Sequence, residues 1–383
     1  MRIAVVVKSL QIGGMERAAI NLADTFANEG HDTHLIYFKD KKRLLSPNKL
    51  VEVHLFKLEY ILKLTIIGAI LNLFAKVMNG FIRHSYFYFQ GLLLTPIFKY
   101  KLKKLQKEHG EFDLVIVRGQ GTFEMIWHYN SDNYIIQQVN VLRNYDTLLN
   151  NFYRRVIFSN KHIVCNAPAV MRELEKDFIT SQVSPTSLEV IPSPIDRELI
   201  LFKASEYPVD LDAKYIINIG RLEDVKNVSL LIDAYAYARE NLGFDYDLVI
   251  IGGGNEFEML QNKTQELDIE KFVHFKGILP NPYPWLKQAE LFAFTSKNEG
   301  LPNVLLESLA CQTNIVSTRG RGGTLDIMSG DLEENLTAFD VKEFAEKMLD
   351  ILDSKQHIDF NKHLNNYSPT AVVNEYIKYI KKV

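Results

Sequence analysis

The chain has 383 residues, too many for a single hydrophobic core, so two or more domains are expected. Hydrophobic residues make up 47% and charged residues 24%, as in an ordinary globular protein, and a net charge of −3 gives no general attraction to nucleic acid. Two distant cysteines, Cys165 and Cys311, give no support to a disulfide scaffold or a zinc site. Met1 leads straight into the apolar run Ile3–Val7, which is too short for a secretory leader, so a cytoplasmic protein is expected. That run reads as a buried strand. After it come the loop glycines Gly13 and Gly14, a helix from Met15 to Glu29 with Ala18, Ala19, Leu22 and Phe26 on one stripe, and a second strand, His34–Phe38. This is a Rossmann-type half without the glycine spacing of a dinucleotide site.

Residues 55–107 are unusual: nine Lys or Arg against one acid, Glu59, with many aromatics. Their most apolar part, Leu64–Ala75, is bracketed by Lys63 and Lys76 and falls short of the roughly 20 residues needed to span a bilayer. Two readings stay open, peripheral docking on an anionic membrane or core helices with solvated lysines. Further strands are expected at Phe112–Val117, Tyr134–Val139 and His162–Cys165, with Arg118 at the carboxyl end of the first. Pro192-Ser193-Pro194 stops regular structure, and an irregular linker is expected to about Asp212.

In the second half, Tyr215–Ile219 reads as a strand running into Gly220-Arg221-Leu222, with Lys226 soon after. Two cations at the carboxyl edge of a parallel sheet can hold a diphosphate, Arg by its planar fork and Lys as a point charge. Leu248–Ile251 precedes Gly252-Gly253-Gly254, and Phe272–Phe275 precedes Gly277-Ile278. Leu291–Phe294 then leads to Glu299-Gly300-Leu301-Pro302-Asn303-Val304-Leu305-Leu306-Glu307. Here Gly300 lets the backbone approach a ligand and Pro302 suits the first turn of a helix. The open N–H groups of Asn303, Val304 and Leu305 suit an anion. Glu299 and Glu307 can accept hydrogen bonds from sugar and ribose hydroxyls. Neither Asp-x-Asp string, Asp210/Asp212 or Asp245/Asp247, reads as a metal site, and no metal or other cofactor is expected. Ser368-Pro369 starts a final helix to about Lys382.

The string Glu299-Gly300-Leu301-Pro302 followed by Glu307-Ser308-Leu309-Ala310 closely resembles the signature of glycosyltransferase family 4, retaining nucleotide-sugar transferases of the GT-B fold. Gly220-Arg221-Leu222 with Lys226-Asn227 resembles the diphosphate-binding pair of that family. The resemblance implies an α/β molecule with two Rossmann-like domains facing across a cleft, an acceptor domain at 1–195 and a donor domain at 196–368. A last helix, 369–383, would cross back onto the first domain. It implies catalytic roles for Glu299, Arg221 and Lys226. Donor contacts would come from Gly14, Gly220, Gly253, Ile278, Gly300, Leu301, Pro302, Asn303, Val304, Leu305 and Glu307, and acceptor contacts from Gly13 and Arg118. The implied partners are a nucleotide sugar, UDP-linked, and a saccharide or lipid-linked acceptor in surface polysaccharide or lipopolysaccharide assembly. The inner face of the plasma membrane is the place for a docked form. The chain departs from the family at Ser193, where Asn is usual, at Arg118-Gly119-Gln120, where a His is common, and at Gly322-Gly323-Thr324. A nucleotide-sugar epimerase or a non-catalytic nucleotide-sugar-binding subunit are the alternatives.

Overall fold

A computed structural model of the chain describes residues 1–10, 14–39, 46–82, 85–138, 150–354 and 358–382. The chain forms two compact units, Met1–Pro194 together with Pro369–Val383, and Ile195–Ser368. Each is built on a parallel sheet.

The first unit carries β1 (Arg2–Val7), β2 (Asp32–Tyr37), β3 (Glu52–Leu55), β4 (Leu114–Arg118), β5 (Tyr134–Gln138), β6 (His162–Cys165) and β7 (Ser187–Val190), in the spatial order β3-β2-β1-β4-β5-β6-β7. All of its pairings are parallel. The central strands are apolar throughout because helices cover both faces: residues 3–7 of β1 are fully buried. Helix α1 (Gly14–Asn28) lays Ala19, Leu22, Ala23 and Phe26 on this sheet. Residues 58–109 supply α2 (Leu58–Lys63), α3 (Ile66–Phe81) and α4 (Tyr86–His109). The final helix, Pro369–Lys382, returns to this unit and buries Val372, Val373, Tyr376 and Tyr379 in the same core.

The second unit holds β8 (Tyr215–Ile219), β9 (Asp247–Ile251), β10 (Val273–Gly277), β11 (Leu291–Phe294), β13 (Asn314–Thr318) and β15 (Leu336–Thr337), ordered β10-β9-β8-β11-β13-β15. This is a doubly wound order whose direction reverses between β8 and β11. A separate parallel pair joins β12 (Asn298–Glu299) to β14 (Arg321–Gly322). Where β8 and β9 end, the backbones nearly touch. Gly252 sits at φ 148°, and a Cβ there would come 1.7 Å from the Gly220 carbonyl oxygen, so only glycine fits. The stretch expected to be an irregular linker instead contains a helix, Arg197–Lys203, because Asp196 caps it by accepting the Leu199 N–H at 2.9 Å. Both cysteines are buried, and burial pushes each thiol up to about 12, leaving them inert packing residues.

Candidate functional site

The second unit assembles its site where the strand order reverses, at the carboxyl ends of β8 and β11. Thr295 and Ser296, both buried, follow β11 and donate their hydroxyls to the carbonyl oxygens of Lys226 at 3.0 Å and Val225 at 3.1 Å. The Lys297 N–H donates to the same Val225 oxygen at 2.8 Å. These bonds stitch the loop after β8 to the loop after β11. They bring Lys226 and Glu299 into an ion pair whose side chains are 20% and 14% exposed. An ammonium offers three donors and a carboxylate about four acceptor positions, so the pair keeps capacity for an anion on one side and a hydroxyl on the other.

The helix Asn303–Cys311 opens beside this pair. Pro302 is its cap (φ −76°, ψ 86°) rather than its first residue, which corrects the reading of Pro302 as part of the first turn. The Leu305 N–H donates back to the Pro302 carbonyl at 3.0 Å. That removes Leu305 from the expected open amides and leaves Asn303 and Val304 among the described residues. The side-chain oxygen of Asn303 is buried with no hydrogen-bond partner. One turn further in, Glu307 accepts the hydroxyl of Tyr283 at 3.2 Å. Tyr283 lies in the short helix Tyr283–Gln288, and no spacing in the sequence connects it with Glu307.

Of the other expected donor residues in the second unit, Gly220, Gly253 and Ile278 follow β8, β9 and β10, and Gly300 and Leu301 follow β12. Gly220 donates its N–H to Ile251 at 3.0 Å and the Gly253 carbonyl accepts from Leu222 at 3.0 Å. Ile278 is exposed, its side chain packed over Gly253. Gly300 accepts the Gly323 N–H at 2.9 Å, and Leu301 is buried behind it. The loop after β13 had no expected role. It lies against Glu299 through β14, with Gly322 opposite Glu299 in register. Arg221, by contrast, is 69% exposed and bonded to Glu223 at 2.6 Å. Neither Asp-x-Asp string converges on a metal position: Asp210 faces Lys276 at 3.3 Å and Asp247 faces His274 at 2.7 Å.

In the first unit, Gly14 opens α1, and Gly13 lies outside the described residues. Arg118 corrects an expectation. It is 2% exposed, its guanidinium is bonded to Gln137 and to Ser193 at 3.0 Å, and burial lowers it to about 10. A group enclosed in this way is a packing tie to the Pro192–Pro194 turn and not an open acceptor contact.

The basic, aromatic stretch folds in an unexpected way. Helix α3 buries Gly68, against the end of α2, and Ala75, and turns Asn72 and Asn79 towards α4, where Asn72 accepts from the Tyr86 hydroxyl at 2.9 Å and from Gln90 at 2.6 Å. Asn79 accepts the Tyr86 N–H at 3.2 Å. The opposite stripe carries Ile66, Ile67, Ile70, Leu73, Phe74, Val77 and Phe81, all exposed. The helix is therefore inverted, small and polar inside and apolar outside. At sixteen residues it is about 24 Å long, and no helix among the described residues is long and apolar enough to cross a membrane.

Comparison with known proteins assigns both halves. Residues 12–199 match the family model described as Glycosyltransferase Family 4, and residues 202–370 match Glycosyl transferases group 1. The chain is 35% identical over 189 residues to the N-acetylgalactosamine-N,N'-diacetylbacillosaminyl-diphospho-undecaprenol 4-alpha-N-acetylgalactosaminyltransferase of Campylobacter jejuni subsp. jejuni serotype O:2, covering 49% of this chain and 50% of that one. It is 25% identical over 203 residues to the lipopolysaccharide 1,6-galactosyltransferase of Escherichia coli K12, covering 51% and 54%. The matches thus span about half the length of these relatives. Among solved structures, Anabaena HepE in complex with UDP superposes with a TM-score of 0.69 at 15% identity, covering 100% of both chains, and so shares the fold.

Proposed function

The chain belongs to the GT-B glycosyltransferases, with a family 4 domain followed by a group 1 domain, and from that premise we propose that it is a retaining enzyme. It moves a hexose or N-acetylhexosamine from a UDP-sugar to a saccharide or lipid-linked acceptor in lipopolysaccharide or other surface-polysaccharide assembly. The observation that carries this reading is the Lys226–Glu299 ion pair beside the open start of the helix Asn303–Cys311.

In this mechanism Lys226 and the amides of Asn303 and Val304 receive the diphosphate. Arg221 turns in to share the negative charge that grows as the leaving group departs. Glu299, fixed by Lys226, accepts hydroxyls of the donor sugar, and Glu307, fixed by Tyr283, accepts those of the ribose. No protein nucleophile is needed if the departing phosphate takes the proton of the acceptor hydroxyl on the same face, which preserves the anomeric configuration. The names of the relatives, one carrying a diphospho-undecaprenol acceptor and one acting on lipopolysaccharide, favour an acceptor of that class. Helix α3 gives such an enzyme a means of docking: its apolar stripe, with Lys63 just before the helix and Lys76 within it, suits the headgroup region of an anionic membrane at the inner face of the plasma membrane.

Thermal-shift and transfer assays over a panel of nucleotide sugars test the reading. Lys226→Ala and Glu307→Ala should each cut transfer at least tenfold, upwards of about 1.4 kcal/mol of transition-state stabilisation. Unchanged rates would refute the site. Sugar release or epimerisation at full rate with no acceptor would favour an epimerase instead.

A further inference from the structure

At the amino end of the first sheet, three histidines and a glutamate meet on one face. Parallel register sets His34 of β2 opposite Glu52 of β3, and His54 opposite Ile36, so all three side chains emerge on the same side. His109, the last residue of α4, closes over them. His34 Nδ1 lies 2.9 Å from His54 Nε2 and 3.2 Å from a Glu52 carboxylate oxygen. That same oxygen is 3.7 Å from His54 Nε2 and 3.2 Å from His109 Nδ1.

We propose that this cluster is a structural site for a late first-row divalent ion, Zn²⁺ above all, bound by His34, His54 and Glu52, whose ligand atoms all lie within 4.8 Å of one another, with a fourth position left for water. A tetrahedral ion with bonds of about 2.0–2.1 Å holds its ligand atoms about 3.3 Å apart. The three edges among these ligand atoms, 2.9, 3.2 and 3.7 Å, straddle that value. Proton placement argues the same way. His34 Nε2 is buried 3.2 Å from an Asp32 carboxylate oxygen, yet it makes no aligned hydrogen bond in this ring orientation. A small ring rotation would align it, giving the carboxylate–histidine pair that fixes the tautomer of a metal ligand. Asp32 is itself anchored by Arg2 at 2.6 Å. With its proton on Nε2, His34 turns a lone pair at Nδ1 towards the negative Glu52 oxygen. The single N–H that His54 presents can satisfy only one of these two acceptors well, and a cation satisfies both. Nitrogen ligands select against Mg²⁺. Glu52 is exposed, so an ion has a way in.

Such an ion would fasten β3, the edge strand, to β2. It would lie at the opposite end of the strands from their carboxyl edge, where α/β sheets bind ligands, so its role is stability of the first unit. The test uses the full chain, stripped with chelator and dialysed. Calorimetric titration with ZnCl2 alone should show one tight equivalent and a raised melting temperature, with MgCl2 giving neither, and Co²⁺ should show the intense visible bands of tetrahedral coordination. His54→Ala and the conservative Glu52→Gln, both at partly open positions, should weaken Zn²⁺ binding at least tenfold while circular dichroism stays unchanged. Absence of Zn²⁺ uptake by the wild type overturns the proposal, and so does equal uptake by both folded variants.

Discussion

Gly322 shows how tightly the site depends on single backbone positions. It sits at φ 87°, and a Cβ there would meet the Glu299 carbonyl oxygen at 1.8 Å. Gly322→Ala therefore both strains the turn and pushes β14 away from the residue that pairs with Lys226. It should cost roughly 1–3 kcal/mol of stability and at least tenfold in transfer, read from chemical denaturation and from initial rates; a variant with wild-type melting would show that β14 is not held as described. Lys161 tests burial instead. Its ammonium donates to the Tyr129 carbonyl and lies 5.5 Å from the Tyr134 ring centroid, and burial lowers its pKa from 10.5 to about 8. Between those values the unfolded chain holds the proton and the folded chain does not, so this group makes stability rise with pH over that window. Lys161→Met removes that rise. The mutant should gain on the wild type at pH 7 relative to pH 10, by about 1–3 kcal/mol once the ring contact and hydrogen bond are allowed for; urea melts giving the same difference at both pH values would sink this. At the residue level the sequence marks Lys226, Glu299 and Glu307 because charges at loop and helix starts repeat a spacing pattern. It does not mark Tyr283, Gly322 or the His34 cluster, whose partners lie 24, 23 and up to 75 positions away in the chain and meet only once helices and strands have packed.

At the scale of elements, strands were legible because parallel strands covered on both faces read as unbroken apolar runs, and helix α1 because its apolar stripe faces inward. Helix α3 defeats that logic. Its apolar periodicity is genuine but points away from the sheet, while Gly68, Asn72 and Ala75 make the inner contacts. A period of 3.6 identifies a helix face without saying which face is buried. This inversion carries the docking prediction. In co-sedimentation at low salt the protein should pellet with anionic liposomes and not with neutral ones. Replacing Ile66 and Ile70 by Glu should release it without lowering the melting temperature, because both side chains are exposed. If the double variant pellets like the wild type, α3 is not the docking element. The helix Arg197–Lys203 was missed for a simpler reason: its cap, Asp196, follows a Pro-x-Pro turn that reads as the end of structure.

On the scale of the whole molecule, the two-sheet architecture was legible from strands alternating with helices. The return of the last helix came from family resemblance, since nothing in residues 369–382 names the sheet they cover. The structure gives that return an energetic consequence. Val372, Val373, Tyr376 and Tyr379 are buried among Ala19, Phe26 and the residues of β1, with Tyr376 against Phe26 at 5.5 Å between ring centroids and Thr370 bonded to Glu29 at 2.8 Å. Burying four such side chains is worth roughly 1.5–3 kcal/mol each, together comparable to the whole stability of a typical domain, about 5–15 kcal/mol. Ending the chain at Ser368 should therefore unfold the first unit and spare the second, which keeps its own core around Tyr235, Leu248 and Phe344. Hydrogen exchange on the truncated protein should show β1, β4 and β5 losing protection while β8, β9 and β11 retain theirs. Binding of UDP should survive, because every group assigned to the donor comes from the second unit apart from Gly14. Equal loss of protection in both sheets would mean that the two units fold as one and that the last helix supports more than the core it touches.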